Sequence, residues 1–206
     1  MLVEDNATYR HALAEALARH PDIQAVAPFP SLERALAALQ AGEIPDVMLL
    51  DLKLPGRSGL DAIPDLARAY PDMPILVLTQ YDDKQTVFRA IDQGAAGYLL
   101  KTASVNSIAE GLVAARDGGA PLDPAITKMF ISMYADLQPD TASELLTPRE
   151  TEILRMLSTG QAKKQVAARL GISFHTVNMH TRNIYEKLNV HNLAAALRAA
   201  IELRLL

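Results

Sequence analysis

The 206-residue chain contains no cysteine, which excludes disulfides and thiolate metal ligands and makes a reducing interior its natural setting. No apolar run approaches the ~18 residues of a membrane-crossing helix, and the first residues carry no basic, apolar, small-residue export signal. The expectation is a cytoplasmic protein with no membrane partner. Histidine is also scarce. Of His11, His20, His175, His180 and His191, only His175 and His180 are near neighbours, and an i,i+5 offset does not put two ligands on one helical face.

What is present is unevenly spread. Half the residues are apolar, ordinary for a globular protein, and the length suits one large domain or two small ones. The net charge of -4 conceals an asymmetry: residues 1–144 carry 11 Lys and Arg against 20 Asp and Glu, a balance of -9, whereas residues 145–206 carry 9 against 4, a balance of +5. An acidic front and a basic back predict different partners, with nucleic acid the candidate for the back.

Over the first 120 residues, the apolar runs "MLV", "IQAVAPF", "VMLL", "ILVLT" and "GYLL" alternate with stretches of helical spacing. Tyr9, Leu13, Ala16 and Leu17 mark one such stretch; Leu32, Ala35, Leu36 and Leu39 another; Val105, Ile108 and Leu112 a third. Continuous apolar runs are strands covered on both faces, so five alternations predict a doubly wound α/β domain around a parallel sheet. Pro64 is placed early in the third helix, where its missing N–H costs least. The pattern fails from about Gly118; "AITKMFISMYADL" reads as one more helix and 138–144 as a linker. Beyond it, Thr147, Pro148 and Glu150 make a capping-box start, followed by four helical pieces broken at Gly160, at 171–173 and at 189–191.

Ligands of an open α/β sheet bind beyond the carboxyl ends of its strands. There the sequence puts Glu4 and Asp5, then Asp51, Thr79 and Lys101. Three clustered carboxylates need a cation, and an all-oxygen set suits Mg²⁺. An ammonium and a hydroxyl beside them can neutralise and hydrogen-bond a phosphoryl group, which makes Asp51 a candidate carboxylate nucleophile. In the basic part, Val166 and Leu170 can pack on Val177, Ile184 and Leu188 as a helix-turn-helix with Ser173 as N-cap. His175, Asn178, Met179, Arg182 and Lys187 then point outward. Arg suits guanine, Asn adenine and Met a thymine methyl, with Lys163 and Lys164 beside phosphates.

"VEDN", "LLDLKLPGRSGLD", "VLTQYDD" and "GAAGYLLKTAS" resemble the receiver domain of two-component response regulators, and "LTPRETEILRML", "VAARLGIS" and "TVNMHTRNIYEKLNV" the LuxR-type DNA-binding domain of the NarL/FixJ response regulators. The resemblance implies a five-stranded (βα)5 receiver at 1–117, a connecting helix and linker at 118–144, and a four-helix helix-turn-helix domain at 145–206. It makes Asp51 the phospho-acceptor, Asp5 a Mg²⁺ ligand, Glu4 a second acid acting through water, and Lys53 a backbone-carbonyl ligand. Thr79 and Tyr98 become a switch pair and Lys101 the phosphate-pairing lysine. Asn178, Met179 and Arg182 become base-facing, Thr176 and Lys164 phosphate-facing. Asn178 departs from the family's usual lysine, Thr102 from its usual proline, and the first strand is short.

The function so implied is transcriptional control by a non-enzyme: a sensor histidine kinase phosphorylates Asp51, the protein binds double-stranded DNA as a homodimer, and RNA polymerase is a further partner. The rivals are a phosphorylation-independent pseudo-receiver and an aspartyl-phosphate phosphatase. The latter needs a general acid two residues after its nucleophile, where this chain has Lys53. The charge asymmetry further predicts a resting form whose recognition helix is partly masked against the receiver and tethered by 138–144, and the switch pair implies that a phosphoryl group on Asp51 draws in the Thr79 hydroxyl and lets the Tyr98 ring turn inward.

Overall fold

The computed structural model describes residues 1–134, 145–203 and 205. The linker predicted at 138–144 lies outside them. Five strands, β1 (Leu2–Val3), β2 (Pro28–Phe29), β3 (Met48–Leu50), β4 (Ile75–Thr79) and β5 (Gly97–Leu100), form one sheet of order β2-β1-β3-β4-β5. Every neighbouring pair is parallel. Between and after them run α1 (Ala7–Leu17), α2 (Leu32–Gln40), α3 (Gly59–Ala69), α4 (Lys84–Asp92), α5 (Val105–Arg116) and α6 (Pro124–Tyr134). Side chains alternate between two cores: Val3, Met48, Leu50, Ile75 and Val77 on one face, Leu2, Leu49, Leu76, Leu78 and Leu99 on the other. That two-sided burial explains why the strands read as unbroken apolar runs. The second strand shrinks from "IQAVAPF" to two residues, because its neighbour β1 offers only Leu2 and Val3 as partners.

Pro64 is the sixth residue of α3, one turn deeper than the sequence suggested. It removes the N–H that would reach the carbonyl of Leu60. With its amide turned to satisfy both ends, Gln93 supplies the missing donor to that oxygen at 2.8 Å and accepts from Arg89 Nε at 3.3 Å.

The basic part folds as α7 (Pro148–Ser158), α8 (Lys163–Leu170), α9 (Phe174–Leu188) and α10 (Leu193–Glu202) around its own core, which includes Ile153, Leu154, Val166, Val177 and Ile184. The expected local signals are in place. Thr147 and Glu150 complete a capping box, Ser173 caps α9, and Gly171 and Asn189 close helices with positive φ.

The two parts also meet. Residues 121–123 run along β5, with Tyr98 N–H donating to Pro121 O and Asp123 N–H donating to Tyr98 O, both at 2.9 Å. This covers an otherwise open sheet edge. Gly97 makes the approach feasible, since a Cβ there would lie 2.4 Å from Pro121 O. The chain then enters α6, whose Ile126 and Phe130 join the core beside Val87, Ala90 and Ile91 of α4. Ala194 and Ala195 of α10 belong to that same cluster, and Arg198 pairs with Asp92 at 2.6 Å.

Candidate functional site

The carboxyl ends of the strands converge as the sequence predicted. Among the described residues, Glu4, Asp5 and Asp51 form a group that can hold a metal ion, each offering an oxygen within 4.8 Å of the others. Glu4 and Asp51 are almost fully buried and Asp5 is exposed. Lys101, at the end of β5, reaches Glu4 Oε2 at 2.6 Å and Asp51 Oδ2 at 2.7 Å. The remaining oxygens have donors too: Lys53 N–H donates to Asp51 Oδ1 at 3.1 Å and Asn6 N–H to Glu4 Oε1 at 3.1 Å. The Tyr9 ring lies 5.2 Å from the Lys101 ammonium, close enough for a cation–π contact.

The electrostatics follow from this packing. Burial pushes the Glu4 carboxyl above its usual range, and the nearby Lys101 only partly offsets it. Burial would by itself lower Lys101, but its bonds to Asp51 and Glu4 outweigh that and raise it. The ammonium therefore stays charged at neutral pH and holds the site together before any metal or phosphoryl group arrives. Clustered hard oxygens with one in solvent fit Mg²⁺, which prefers carboxylates and keeps several waters.

Gly59 lets α3 begin directly under the site. A Cβ at that position would fall 2.1 Å from the backbone oxygen of Asp51, so one of the two segments must move. Gly59→Ala is expected to destabilise the protein by about 2 kcal/mol or more and to displace Asp51. Chemical denaturation checks the first effect, and phosphoryl labelling of the surviving folded protein checks the second.

Thr79 is buried, and its hydroxyl oxygen has no hydrogen-bond partner. Tyr98 departs from expectation. Its ring is already fully buried, and its hydroxyl donates to Tyr81 O at 2.8 Å. The cause is the strand-like segment 121–123, which fixes the Tyr98 backbone from the edge side while the loop after β4 offers a carbonyl to its hydroxyl.

On α9 the inward side is Val177, Thr181, Ile184 and Leu188. Thr181 is buried without penalty because its hydroxyl donates to Val177 O at 2.7 Å. Met179 is 52% exposed, and Arg182 projects into solvent, paired with Glu186 on the next turn at 3.1 Å. Lys164 is exposed as well, and the hydroxyl of Thr176 lies 2.8 Å from that of Ser173. Lys163 and Asn178 behave otherwise. The Lys163 ammonium donates to Asn178 Oδ1 at 3.0 Å and lies against Gly118, and burial lowers its pKa. Phe174, which the sequence reading passed over, is 41% exposed at the first position of α9. Its signal was an aromatic residue immediately after an N-cap serine.

The partial masking of the recognition helix is confined to Asn178, which is reached only through Lys163. The helix docked on the receiver is α10, because its small Ala194 and Ala195 allow close approach to α4 and α6. Only the Lys163–Asn178 edge of the DNA-facing surface is engaged.

Comparison with known proteins agrees at both ends of the chain. Residues 1–112 match the response regulator receiver domain, and residues 144–200 match the luxR family of bacterial regulatory proteins. A nitrate/nitrite response regulator protein homolog of Haemophilus influenzae is 36% identical over 95% of this chain and 92% of its own length. The transcriptional regulatory protein DegU of Brevibacillus brevis is 30% identical over 98% and 92%. Among solved structures, the response regulator ChrA of a heme-sensing two-component system shares 34% identity, covering 100% of this chain and 97% of its own, with a TM-score of 0.52. No helix among the described residues is long and apolar enough to cross a membrane. The chain belongs to the response regulators of two-component systems, in the branch that joins a receiver to a LuxR-type DNA-binding domain and controls transcription.

Proposed function

We propose that this response regulator accepts a phosphoryl group on Asp51 from a sensor histidine kinase and then acts as a DNA-bound homodimer. The observation carrying the proposal is Lys101, held within 2.7 Å of both Glu4 and Asp51 at the carboxyl ends of three different strands. An Asp51 oxygen attacks phosphorus, the bond from phosphorus to the donor's imidazole nitrogen breaks, and that nitrogen regains its electron pair and a proton. Lys101 then neutralises one phosphoryl oxygen, and the partnerless Thr79 hydroxyl can donate to another. Asp5, Asp51, the Lys53 carbonyl and, through water, Glu4 would hold Mg²⁺, which would supply further charge neutralisation. The proton gained by the donor nitrogen comes from solvent or the donor protein. The general acid of an aspartyl-phosphate phosphatase would stand two residues after Asp51, where this chain has Lys53, a poor acid at neutral pH, which favours a regulator.

On the DNA side, Met179 and Arg182 with Asn178 read bases, while Lys163, Lys164 and Thr176 position the domain on phosphates. Lys163 and Asn178 must exchange their mutual hydrogen bond for DNA contacts. RNA polymerase, brought to the promoter, is the partner through which binding changes transcription. The test is genome-wide mapping of binding sites with and without a small-molecule phosphodonor, repeated with two variants. Arg182→Ala is expected to cost about 1–3 kcal/mol and to relax preference at one base pair. Lys164→Ala is expected to weaken all sequences alike and to reduce the salt dependence by roughly one unit of slope. Uniform losses in both variants would remove α9 from the base-reading role.

A further inference from the structure

We infer that Arg10 is the positioning residue that sets the two consecutive acids of the site on the same rim; this rests on the Mg²⁺ reading of that site. In an extended strand, consecutive side chains point to opposite faces and consecutive carbonyls to opposite edges. Glu4 and Asp5 are consecutive, yet both bring a carboxylate oxygen within 4.8 Å of Asp51. The backbone must therefore leave the pleat between them. It does: the ladder to β2 continues through Glu4 N–H, which donates to Phe29 O at 3.1 Å, and the chain bends at Asp5. Arg10 holds that bend. Its Nη1 donates to Glu4 O at 2.7 Å and to Asp5 O at 3.0 Å, so two carbonyls that a strand would splay apart converge on one nitrogen.

The side chain is otherwise hard to account for. Arg10 is 9% exposed on α1, and among the described residues no carboxylate pairs with it within 4.0 Å. Burying a guanidinium is costly unless it is hydrogen-bonded and its charge is answered. The two carbonyls answer the first need and the adjacent acidic cluster the second. The sequence gives little sign of this role, because Arg10 reads there as a polar position one residue after the apolar Tyr9.

The two ways Arg10 can act on Mg²⁺ have opposite signs, which makes the test decisive. As a mere charge beside the site, Arg10 repels the cation, so its removal would tighten binding. As a clamp on the bend it aligns Glu4 and Asp5, so its removal weakens binding. Mg²⁺ is titrated by calorimetry into the full chain for the wild type, Arg10→Met and Arg10→Lys, with thermal melts in the absence of Mg²⁺ as the check on folding. Arg10→Met is expected to raise the Mg²⁺ dissociation constant about tenfold or more, and Arg10→Lys, which keeps a donor and the charge, to recover a large part of the loss. Phosphoryl labelling of Arg10→Met is expected to return at high Mg²⁺ concentration. A folded Arg10→Met protein that binds Mg²⁺ as tightly as the wild type, or more tightly, overturns the inference. Should Arg10→Met fail to fold, Arg10→Gln replaces it under the same criterion. A wild type that binds no Mg²⁺ would instead overturn the reading of the site itself.

Discussion

Asp51→Asn is expected to take up no phosphoryl label under conditions in which the wild type, given Mg²⁺ and a small-molecule phosphodonor, is expected to acquire an acid-stable, base-labile acyl phosphate. This is the largest single effect expected here, a loss of at least about a hundredfold, because an amide offers no nucleophilic carboxylate oxygen. The substitution is nearly isosteric. It keeps an oxygen able to accept from Lys53 N–H, and it leaves Lys101 paired with Glu4 at 2.6 Å, so a folded protein is expected. Among the described residues, Glu4 and Asp5 are the other acids of the cluster. Undiminished, base-labile labelling of Asp51→Asn would move the acceptor to one of them, and peptide mapping after reductive trapping would show which.

The sheet was legible because burial on both faces leaves its mark on every strand residue, and the strand-end residues followed once the strands were placed. Lys101, fifty residues from Asp51, meets it because a parallel sheet puts all carboxyl ends on one rim. The helix breaks at Gly160, Gly171 and Asn189 were equally plain, since positive φ selects for such residues. What stayed hidden depends on contacts between distant segments. Nothing local announces that residues 121–123 line the edge of β5, or that Gln93 reaches across to mend the gap left by Pro64. The docking of α10 depends on such contacts too. Net charge favoured the basic α9 against the acidic receiver, whereas the contact formed relies on the close fit of two alanines and one ion pair.

This edge contact alters how the two ends can communicate. With Tyr98 already inside, its hydroxyl bound to Tyr81 O and its backbone paired with residues 121–123, a switch based on the ring swinging inward has little room. The unpartnered Thr79 hydroxyl remains the group that a phosphoryl on Asp51 can recruit. Movement of Thr79 would pull on the loop leading to Tyr81 and Asp83, and Asp83 caps α4 through Thr86 N–H at 2.9 Å. The far end of α4 carries Ile91 and Asp92, where α10 is seated.

Asp92→Arg is therefore expected to undock the DNA-binding domain without any phosphodonor. It sets a second guanidinium against Arg198, in place of a 2.6 Å pair whose arginine side chain is 22% exposed. Partial burial keeps solvent from screening the repulsion fully. A penalty of about 1–2 kcal/mol shifts the docked population by about 5- to 30-fold. The alanine contacts oppose it. Undocking has two consequences for DNA. It is expected to expose the α10 face and to withdraw Lys163 from Gly118, so that its charge becomes available to phosphates. Affinity of the unphosphorylated variant for its DNA sites should rise by about the same factor as the open population, which is the upper limit for a coupled two-state equilibrium. Small-angle scattering should show a larger radius of gyration. Adding Arg198→Asp restores opposite charges across the contact and should bring both readings back towards the wild type. An Asp92→Arg protein that opens by scattering but gains no affinity would show that docking of α10 does not compete with DNA binding.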